Sequence, residues 1–393
     1  MVPVSRGTAA EQSLTPAAPR LLNAVAGAVP YAEVAEHVLS ALERRPSDHR
    51  LARLAAESIR RTGDLTAAAE WAEAGLLMAH TAGDQEATAW CLWTLSTIAA
   101  QRAEWGKSCG LALVCEELAS RLGIEELTLW SLSRQAEVAR IRGELNESAR
   151  CHSRLRDRFE RARNDTGVLW AVQGEAQCHL LRGCLDEAEV LFRQSLMLSR
   201  RRNDVRAEGW AERGLGHVLL AHGNRTEAST HIERAGVLFK SAGYRTGSAY
   251  FVRSRIALDA LTGSCGGVEE ARREAGSLRR EKLLREALYI SSMTAVSLAL
   301  AGQLHGAQQI AWGCLEEAET LSIPLARVEA HLVLAACAPT RRDELNHSDS
   351  AMETAGRAGF SAVLSSIRRA SSARAPFAAL RAVAALAKPG QES

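Results

Sequence analysis

Aromatic side chains are scarce in this chain of 393 residues: they make up 5% of it, although 47% of the residues are hydrophobic. Alanine, leucine and valine therefore carry most of the apolar content. Alanine and leucine favour helices, whereas aromatic and β-branched residues are enriched in strands. The composition predicts an all-α protein with almost no strand.

The chain also lacks an excess of either charge, because 48 basic and 46 acidic residues leave a net charge of +2. The two signs are interspersed, without a long block of one sign. A basic patch or tail is the usual signature of binding to nucleic acids or anionic membranes. We therefore expect neither a nucleic acid nor a membrane among the partners.

Long apolar runs are missing as well. No stretch approaches the ~18 uninterrupted apolar residues of a membrane span, and residues 1–19 lack the apolar run of a signal peptide. The nine cysteines are scattered and odd in number, unlike the dense pairs of a small secreted scaffold. These features predict a soluble cytoplasmic protein with reduced cysteines.

What the sequence does contain is an internal repeat. Trp90, Trp130, Trp170 and Trp210 follow one another at intervals of 40 residues, and Tyr250 occupies the same place one interval later. A fixed period of this size is typical of repeat architectures, in which each unit is one supersecondary element. The chain is therefore expected to form one elongated array.

A short break occurs thirteen residues after each aromatic residue of the series. The glycines at these breaks, counting one unit further back, are Gly63, Gly143, Gly183, Gly223 and Gly263. Glycine can end a helix because it adopts a left-handed conformation at low steric cost. The pattern predicts a turn between two helices in each unit.

A small residue follows about five positions after each break, where two antiparallel helices would cross closely. These positions are Ala32, Ala68, Ser108, Ser148, Ala188, Ala228, Ala271 and Ala307. One hairpin cannot bury its own apolar stripe, so the units must stack. We predict a disordered segment over residues 1–19, a solenoid over 20–360, and capping helices with a tail over 361–393.

The segments Gly63–Ala68 and Gly183–Ala188 carry a glycine followed five residues later by alanine. This turn resembles the tetratricopeptide repeat, although the unit is about six residues longer than the usual 34. The longer spacing is similar to that of tetratricopeptide arrays in actinobacterial and MalT-like transcriptional regulators. The resemblance implies a right-handed α-solenoid of helix hairpins that holds a partner. HEAT and armadillo arrays share a period near 40, but the turn favours the tetratricopeptide interpretation.

Two short motifs suggest chemistry but fit it poorly. Trp105–Ser108 has the end of a phosphate-binding loop, yet Gln101 stands where its first glycine belongs and no strand precedes it. Cys178, His179 and Cys184 could supply zinc ligands, but their spacing matches no standard zinc motif. We therefore predict no cofactor, no bound metal and no catalytic residue, so an enzyme is not expected.

The aromatic series gives the candidate binding residues. The resemblance implies that helix A of each unit lines the concave surface, where aromatic and polar side chains could grip a ligand. The candidates are Trp90, Trp93, Trp130, Arg134, Trp170, Gln173, Trp210, Arg213, His217, Tyr250 and Arg253. The alternative is that the aromatic residues only pack each unit against the next.

The expected function is a protein-binding scaffold or regulatory adaptor that engages a partner segment in the concave groove. One alternative is a receptor for a small molecule or a signalling peptide, which would need an enclosed pocket. A second is a solenoid enzyme of a biosynthetic pathway, with Glu137, Glu175 and His217 as acid–base groups. The fold alone does not decide among them.

Overall fold

The computed structural model describes residues 31–264 and 266–385, so the predicted disordered segment 1–19 lies outside the described residues. Nineteen α-helices and no strand occur in these ranges. In chain order they are α1 Tyr31–Arg44, α2 His49–Thr62, α3 Leu65–Thr81, α4 Gln85–Gln101, α5 Trp105–Arg121, α6 Glu125–Ile141, α7 Leu145–Arg161, α8 Asp165–Arg182, α9 Leu185–Arg202, α10 Val205–Ala221, α11 Arg225–Ser241, α12 Arg245–Thr262, α13 Val268–Arg280, α14 Leu284–Leu300, α15 Leu304–Thr320, α16 Pro324–Ala336, α17 Arg341–Arg357, α18 Ser361–Ala373 and α19 Pro376–Ala385.

Helices α2 to α17 form eight consecutive hairpins. Each even-numbered helix packs against the odd-numbered helix that follows it, and successive hairpins pack against each other. We call α2, α4, α6, α8, α10, α12, α14 and α16 the inner helices because the interior of the array is lined mainly by their side chains. The predicted all-α array of tetratricopeptide-like hairpins is confirmed.

The glycines at the predicted turns adopt the left-handed conformation. Their φ angles are 107° at Gly63, 89° at Gly143, 78° at Gly183, 83° at Gly223 and 78° at Gly263. At Gly183, the backbone N–H donates to the carbonyl of Leu180 at 2.9 Å, and the next N–H donates to that of His179 at 2.9 Å. These bonds satisfy carbonyls that the end of a helix leaves free.

Seven of the eight small residues predicted at the helix crossings are fully buried. Ala68, Ser108, Ser148, Ala188, Ala228, Ala271 and Ala307 all have no exposed surface. The prediction was wrong for Ala32, which is exposed on α1. Helix α1 packs mainly against α2 and buries a different face, formed by Tyr31, Ala35, Val38 and Leu42.

Units that are distant in sequence touch one another. The Trp105 indole Nε1–H donates to the carbonyl of Leu321 at 2.5 Å, across 216 positions of the chain. Gly143 packs so closely on Ala358 that an added Cβ would lie 2.5 Å from the alanine Cβ. Helix α2 also contacts α12. The array therefore coils back on itself and encloses its interior.

The last helix runs across the interior instead of extending the stack. Helix α19 contacts α10, α12, α14 and α16, and it buries Leu380, Val383 and Ala384. Helix α18 contacts α17 and also α8. The division of the chain into solenoid and capping segments stays a prediction.

Two glycine substitutions that add the same methyl group should change stability in opposite directions. Nothing lies within 4 Å of a Cβ added at Gly223 or at Gly110, but Gly223 has a φ of 83° and Gly110 lies inside α5. Gly223→Ala should lower the free energy of unfolding by about 1 kcal/mol, because left-handed backbone disfavours a Cβ. Gly110→Ala should raise it by roughly 0.5–1 kcal/mol. Urea unfolding measures both, and a stabilising Gly223→Ala would contradict the turn assignment.

Candidate functional site

The coiled array surrounds a partly open cavity of about 210 Å³. Side chains of inner helices α2 to α14 form most of its wall, and Val383 and Ala384 of α19 close one part of it. Ten of the eleven candidate residues lie on this wall: Trp93, Trp130, Arg134, Trp170, Gln173, Trp210, Arg213, His217, Tyr250 and Arg253. The structure thus brings these residues together, and a binding role for them stays a proposal.

Trp90 is the candidate that does not line the cavity. Its ring meets the Trp93 ring edge-on at 6.0 Å, and the Arg53 guanidinium lies 5.3 Å from its centroid. It is buried behind the wall because the helix places residues 90 and 93 on adjoining parts of its surface. Trp90 is a packing residue of the array.

The other aromatic residues pack on one another along the cavity wall. Ring centroids are 6.3 Å apart for Trp93 and Trp130, and 5.0 Å apart for Trp210 and Tyr250. Tyr289, 6.0 Å from Tyr250, continues the row into α14. Sequence reasoning missed Tyr289 because it follows Tyr250 after 39 residues instead of 40. The aromatic series therefore serves packing and also supplies the surface of the cavity.

Eight arginines line the cavity, and three of them are among the predicted binding residues. They are Arg60, Arg61, Arg134, Arg140, Arg206, Arg213, Arg253 and Arg285. No single motif could have revealed the others. Arg60 and Arg140 share one repeat position, two periods of 40 residues apart, but Arg61, Arg206 and Arg285 occupy other positions. A strongly cationic surface is thus hidden inside a chain of nearly neutral net charge.

Five of these arginines form ion pairs with four glutamates. Glu57 pairs with Arg60 at 2.5 Å and with Arg61 at 3.0 Å. The remaining pairs are Arg134 with Glu137, Arg285 with Glu286, and Arg253 with Glu329 at 2.5 Å. Burial alone would raise the pKa of Glu57, but Arg60 and Arg61 outweigh it and lower the pKa to about 2.

The other three arginines have no carboxylate within ion-pair distance among residues 31–264 and 266–385: Arg140, Arg206 and Arg213. The Arg206 guanidinium lies over the rings of Trp170 and Tyr244, at 5.9 and 5.6 Å. That of Arg213 lies 5.6 Å from the Trp210 centroid and 4.9 Å from that of Tyr250. Aromatic faces stabilise these cations but do not neutralise them.

Several buried N–H groups on the wall have no hydrogen-bond partner among the described residues. They are the indole Nε1 atoms of Trp93 and Trp130 and the Nε atoms of Arg134, Arg140 and Arg206. Tryptophan and arginine can only donate hydrogen bonds. A buried donor without a partner costs about 1–3 kcal/mol. These five atoms have almost no accessible surface, so a ligand in the cavity would reach them only if the wall moved.

Two buried histidines complete the polar part of the wall. One ring nitrogen of His217 bonds to the Ser254 hydroxyl at 2.8 Å, and both ring nitrogens of His152 lack a partner. Burial, aided by Arg140, lowers the pKa of His152 to about 3. Burial and then Arg213 and Arg253 lower the pKa of His217 well below its ordinary value. Both rings are neutral at physiological pH.

The three acid–base groups of the enzyme alternative do not gather at one place. Glu137 and His217 lie on the cavity wall, but Glu175 is absent from it and accepts from Arg156 at 2.9 Å. Glu137 is also engaged by Arg134. This arrangement gives no support to a shared catalytic centre.

The two weak motifs have structural roles in the fold. Ser108 lies on α5 and its hydroxyl donates to the carbonyl of Ser96 at 2.8 Å. The buried thiol of Cys178 contacts the Ser148 hydroxyl at 3.3 Å. In the described part of the chain, no three His, Cys, Asp or Glu side chains converge as metal ligands would. No helix there is long and apolar enough to cross a membrane.

Neither a family model nor a curated protein matches this sequence. Among solved structures, a Rap protein complexed with competence and sporulation factor is 13% identical; the match covers 83% of this chain and 87% of the Rap chain, with a TM-score of 0.57. A signal transduction ATPase with a tetratricopeptide repeat sensor from Pyrococcus horikoshii is 16% identical, with coverage of 86% and 54% and a TM-score of 0.46. The tetratricopeptide domain of P58(IPK) is 12% identical, with coverage of 90% and 95% and a TM-score of 0.25.

At this level of identity, the likeness to the Rap protein shows the fold alone. Together with the nineteen helices of the described residues, it defines the class of protein: a tetratricopeptide-like α-solenoid. The arginine-lined cavity is the property of this chain on which any functional proposal must rest.

Two tryptophans at the same repeat position should differ in their contribution to stability. Trp90 is buried behind the wall, whereas Trp170 is half-buried and lines the cavity. Trp90→Ala should cost about 3–5 kcal/mol of unfolding free energy, and Trp170→Ala clearly less. Urea unfolding of both variants measures the difference. Equal losses would show that Trp170 is a packing residue and contradict its placement on the cavity surface.

The depressed pKa of His152 predicts loss of stability in mild acid. The unfolded chain takes up a proton at His152 near pH 6.5, whereas the folded protein does so only near pH 3. The free energy of unfolding should therefore fall as the pH drops from 7 to 5, by about 2 kcal/mol through this residue.

His152→Gln should remove that part of the pH dependence, which unfolding curves at pH 5 and pH 7 can measure. His80→Gln, which replaces an exposed histidine, is the matched control and should keep it. An unchanged slope in His152→Gln would show that the residue is not buried as a neutral ring.

Proposed function

We propose that this protein binds a short peptide segment inside its superhelix and thereby acts as a peptide-binding adaptor or receptor. The observation that carries the proposal is the cavity, whose wall combines aromatic faces with half-buried arginines that have no carboxylate partner among the described residues. An unpaired guanidinium is free to donate hydrogen bonds to a ligand. The concentration of these features at one place favours binding over a purely structural role.

A peptide would satisfy both kinds of surface. Its backbone carbonyls could accept hydrogen bonds from the half-buried guanidinium groups of Arg206 and Arg213, and its apolar side chains could pack on Trp170, Trp210 and Tyr250. The wall residues stand on rigid helices, so little conformational entropy would be lost on binding.

The enclosure decides what form of partner would fit. Helix α19 crosses the inner helices, and distant units touch through Trp105 and Leu321. The space between the inner helices, about 210 Å³, is too small for a folded domain. An extended segment or a chain terminus is the form of protein partner that we propose. The Rap protein of similar fold was crystallised with competence and sporulation factor, which supports a binding role for this architecture.

A small-molecule ligand is the second candidate, and the size of the cavity favours it. The volume of about 210 Å³ lies below the roughly 300–1,000 Å³ typical of drug-sized pockets. A peptide would then insert only a few residues, whereas a small ligand could be bound entirely. A regulatory role in the cytoplasm belongs to the proposal in either case.

The proposal is tested by capture of ligands on tagged protein expressed in its native source. Wild-type protein should release the same peptide or small molecule in repeated preparations, as identified by mass spectrometry. Trp170→Ala removes a large part of the cavity surface and should weaken binding by about 2 kcal/mol or more, as expected at a hot spot.

Trp312→Ala is the matched control, because Trp312 lies on α15, is 50% exposed and does not line the cavity. This variant should retain the ligand. If folded Trp170→Ala, verified by circular dichroism, captures the same species in the same amount as wild type, the cavity is not the binding site.

A further inference from the structure

Two of the cavity arginines have no counter-ion. Arg140 on α6 and Arg213 on α10 both line the cavity. Burial first, and then Arg253 and Arg140, lower the pKa of Arg213 to about 10. Neither has a carboxylate within ion-pair distance among the described residues.

The neighbouring arginines show what this chain does with a buried cation elsewhere. Arg134, Arg253 and Arg285 each have their own glutamate, namely Glu137, Glu329 and Glu286. Arg140 lies within electrostatic range of Glu137, but that carboxylate is already bound by Arg134. Arg140 and Arg213 are half-buried, so their missing counter-ions leave two cations that face the cavity. They differ in this from Arg134, Arg253 and Arg285.

The hydrogen-bonding capacity of the pair is also largely unused. The Nε of Arg213 donates to the Ser254 hydroxyl at 3.0 Å, and its Nη groups have no partner among the described residues. The side chain of Arg140 makes no hydrogen bond to a described residue, and its Nε is buried. Cation–π stacking on Trp210 and Tyr250 fixes the position of the Arg213 guanidinium.

The histidines beside the pair do not reduce this charge. His152 is affected by Arg140, and His217 by Arg213, and burial keeps both rings neutral. The Nδ1 of His217 and both nitrogens of His152 lack partners. These rings therefore add hydrogen-bonding groups next to the two cations without adding an anion.

We propose that Arg140 and Arg213 form an oxyanion subsite that binds a carboxylate or phosphate group of the ligand inside the cavity. The proposal rests on the proposed function and adds the chemical class of the ligand. Arginine suits this role because its planar fork of N–H groups matches the oxygens of either anion. The aromatic rings beside Arg213 would hold an apolar group attached to the anion.

Thermal unfolding with probes of defined charge tests the subsite. The probes are inorganic phosphate, 3-phenylpropionate and its neutral analogue 3-phenylpropanamide, each at constant ionic strength set with sodium chloride. Wild-type protein should be stabilised by at least one of the two anions and not by the amide. Which anion stabilises it distinguishes phosphate from carboxylate ligands.

Arg140→Gln/Arg213→Gln should bind the stabilising anion roughly tenfold or more weakly, because charge-assisted hydrogen bonds are lost. Arg201→Gln, which replaces an exposed arginine of α9, should behave as wild type. Should the double variant fail to fold by circular dichroism, Arg140→Gln alone serves instead, since its side chain makes no hydrogen bond to be lost. Equal stabilisation of wild type and variant, or no stabilisation by either anion, would overturn the subsite.

The failure of this inference can be separated from failure of the proposed function. If the double variant captures the native ligand as well as wild type does, the subsite is wrong and the ligand-binding role stands. If wild type captures no native ligand, yet an anion stabilises wild type and not the double variant, the subsite stands and the peptide proposal is wrong.

Discussion

The close crossing of antiparallel helices at small residues is the constraint on which the rest of the structure depends. Buried alanines and serines such as Ala188 and Ser108 let each outer helix approach its inner partner, and the Ser108 hydroxyl even donates across the crossing to Ser96. Eight such hairpins in series generate a regular rotation, so that units 216 residues apart meet at Trp105 and Leu321. The cavity is a consequence of this closure, since no single unit encloses it.

Closure places charged side chains of the inner helices around one cavity, where an unpaired charge is costly to the extent that it is buried. The chain pairs most of them, as in the Arg253–Glu329 pair and in the sharing of Glu57 by two arginines. Arg140, Arg206 and Arg213 are half-buried and have no carboxylate partner among the described residues. Features that break local structural rules are concentrated at functional sites. The unpaired arginines therefore support a binding role more strongly than the aromatic series does.

The fold was largely predictable because its signals are local and repeated: the 40-residue period, and turn glycines such as Gly183 that need a positive φ. Most of the predicted binding residues on the cavity wall were found from the same 40-residue period. Tyr289 was missed because the period shortens by one residue before α14. Periodicity does not encode contacts between distant segments. Such contacts decide where α19 runs, that Trp90 lies outside the cavity wall, and that Arg253 pairs with Glu329.

The central claim is that ligands bind inside the superhelix, and the side-chain indole signals of the eight tryptophans test it most directly. In ¹H–¹⁵N spectra recorded with and without the anion that stabilises the protein, phosphate or 3-phenylpropionate, the signals of Trp93 and Trp130, which line the cavity, should shift. The signal of Trp312, which is exposed on α15, should stay in place. Shifts at Trp312 with unchanged signals from Trp93 and Trp130 would contradict the account.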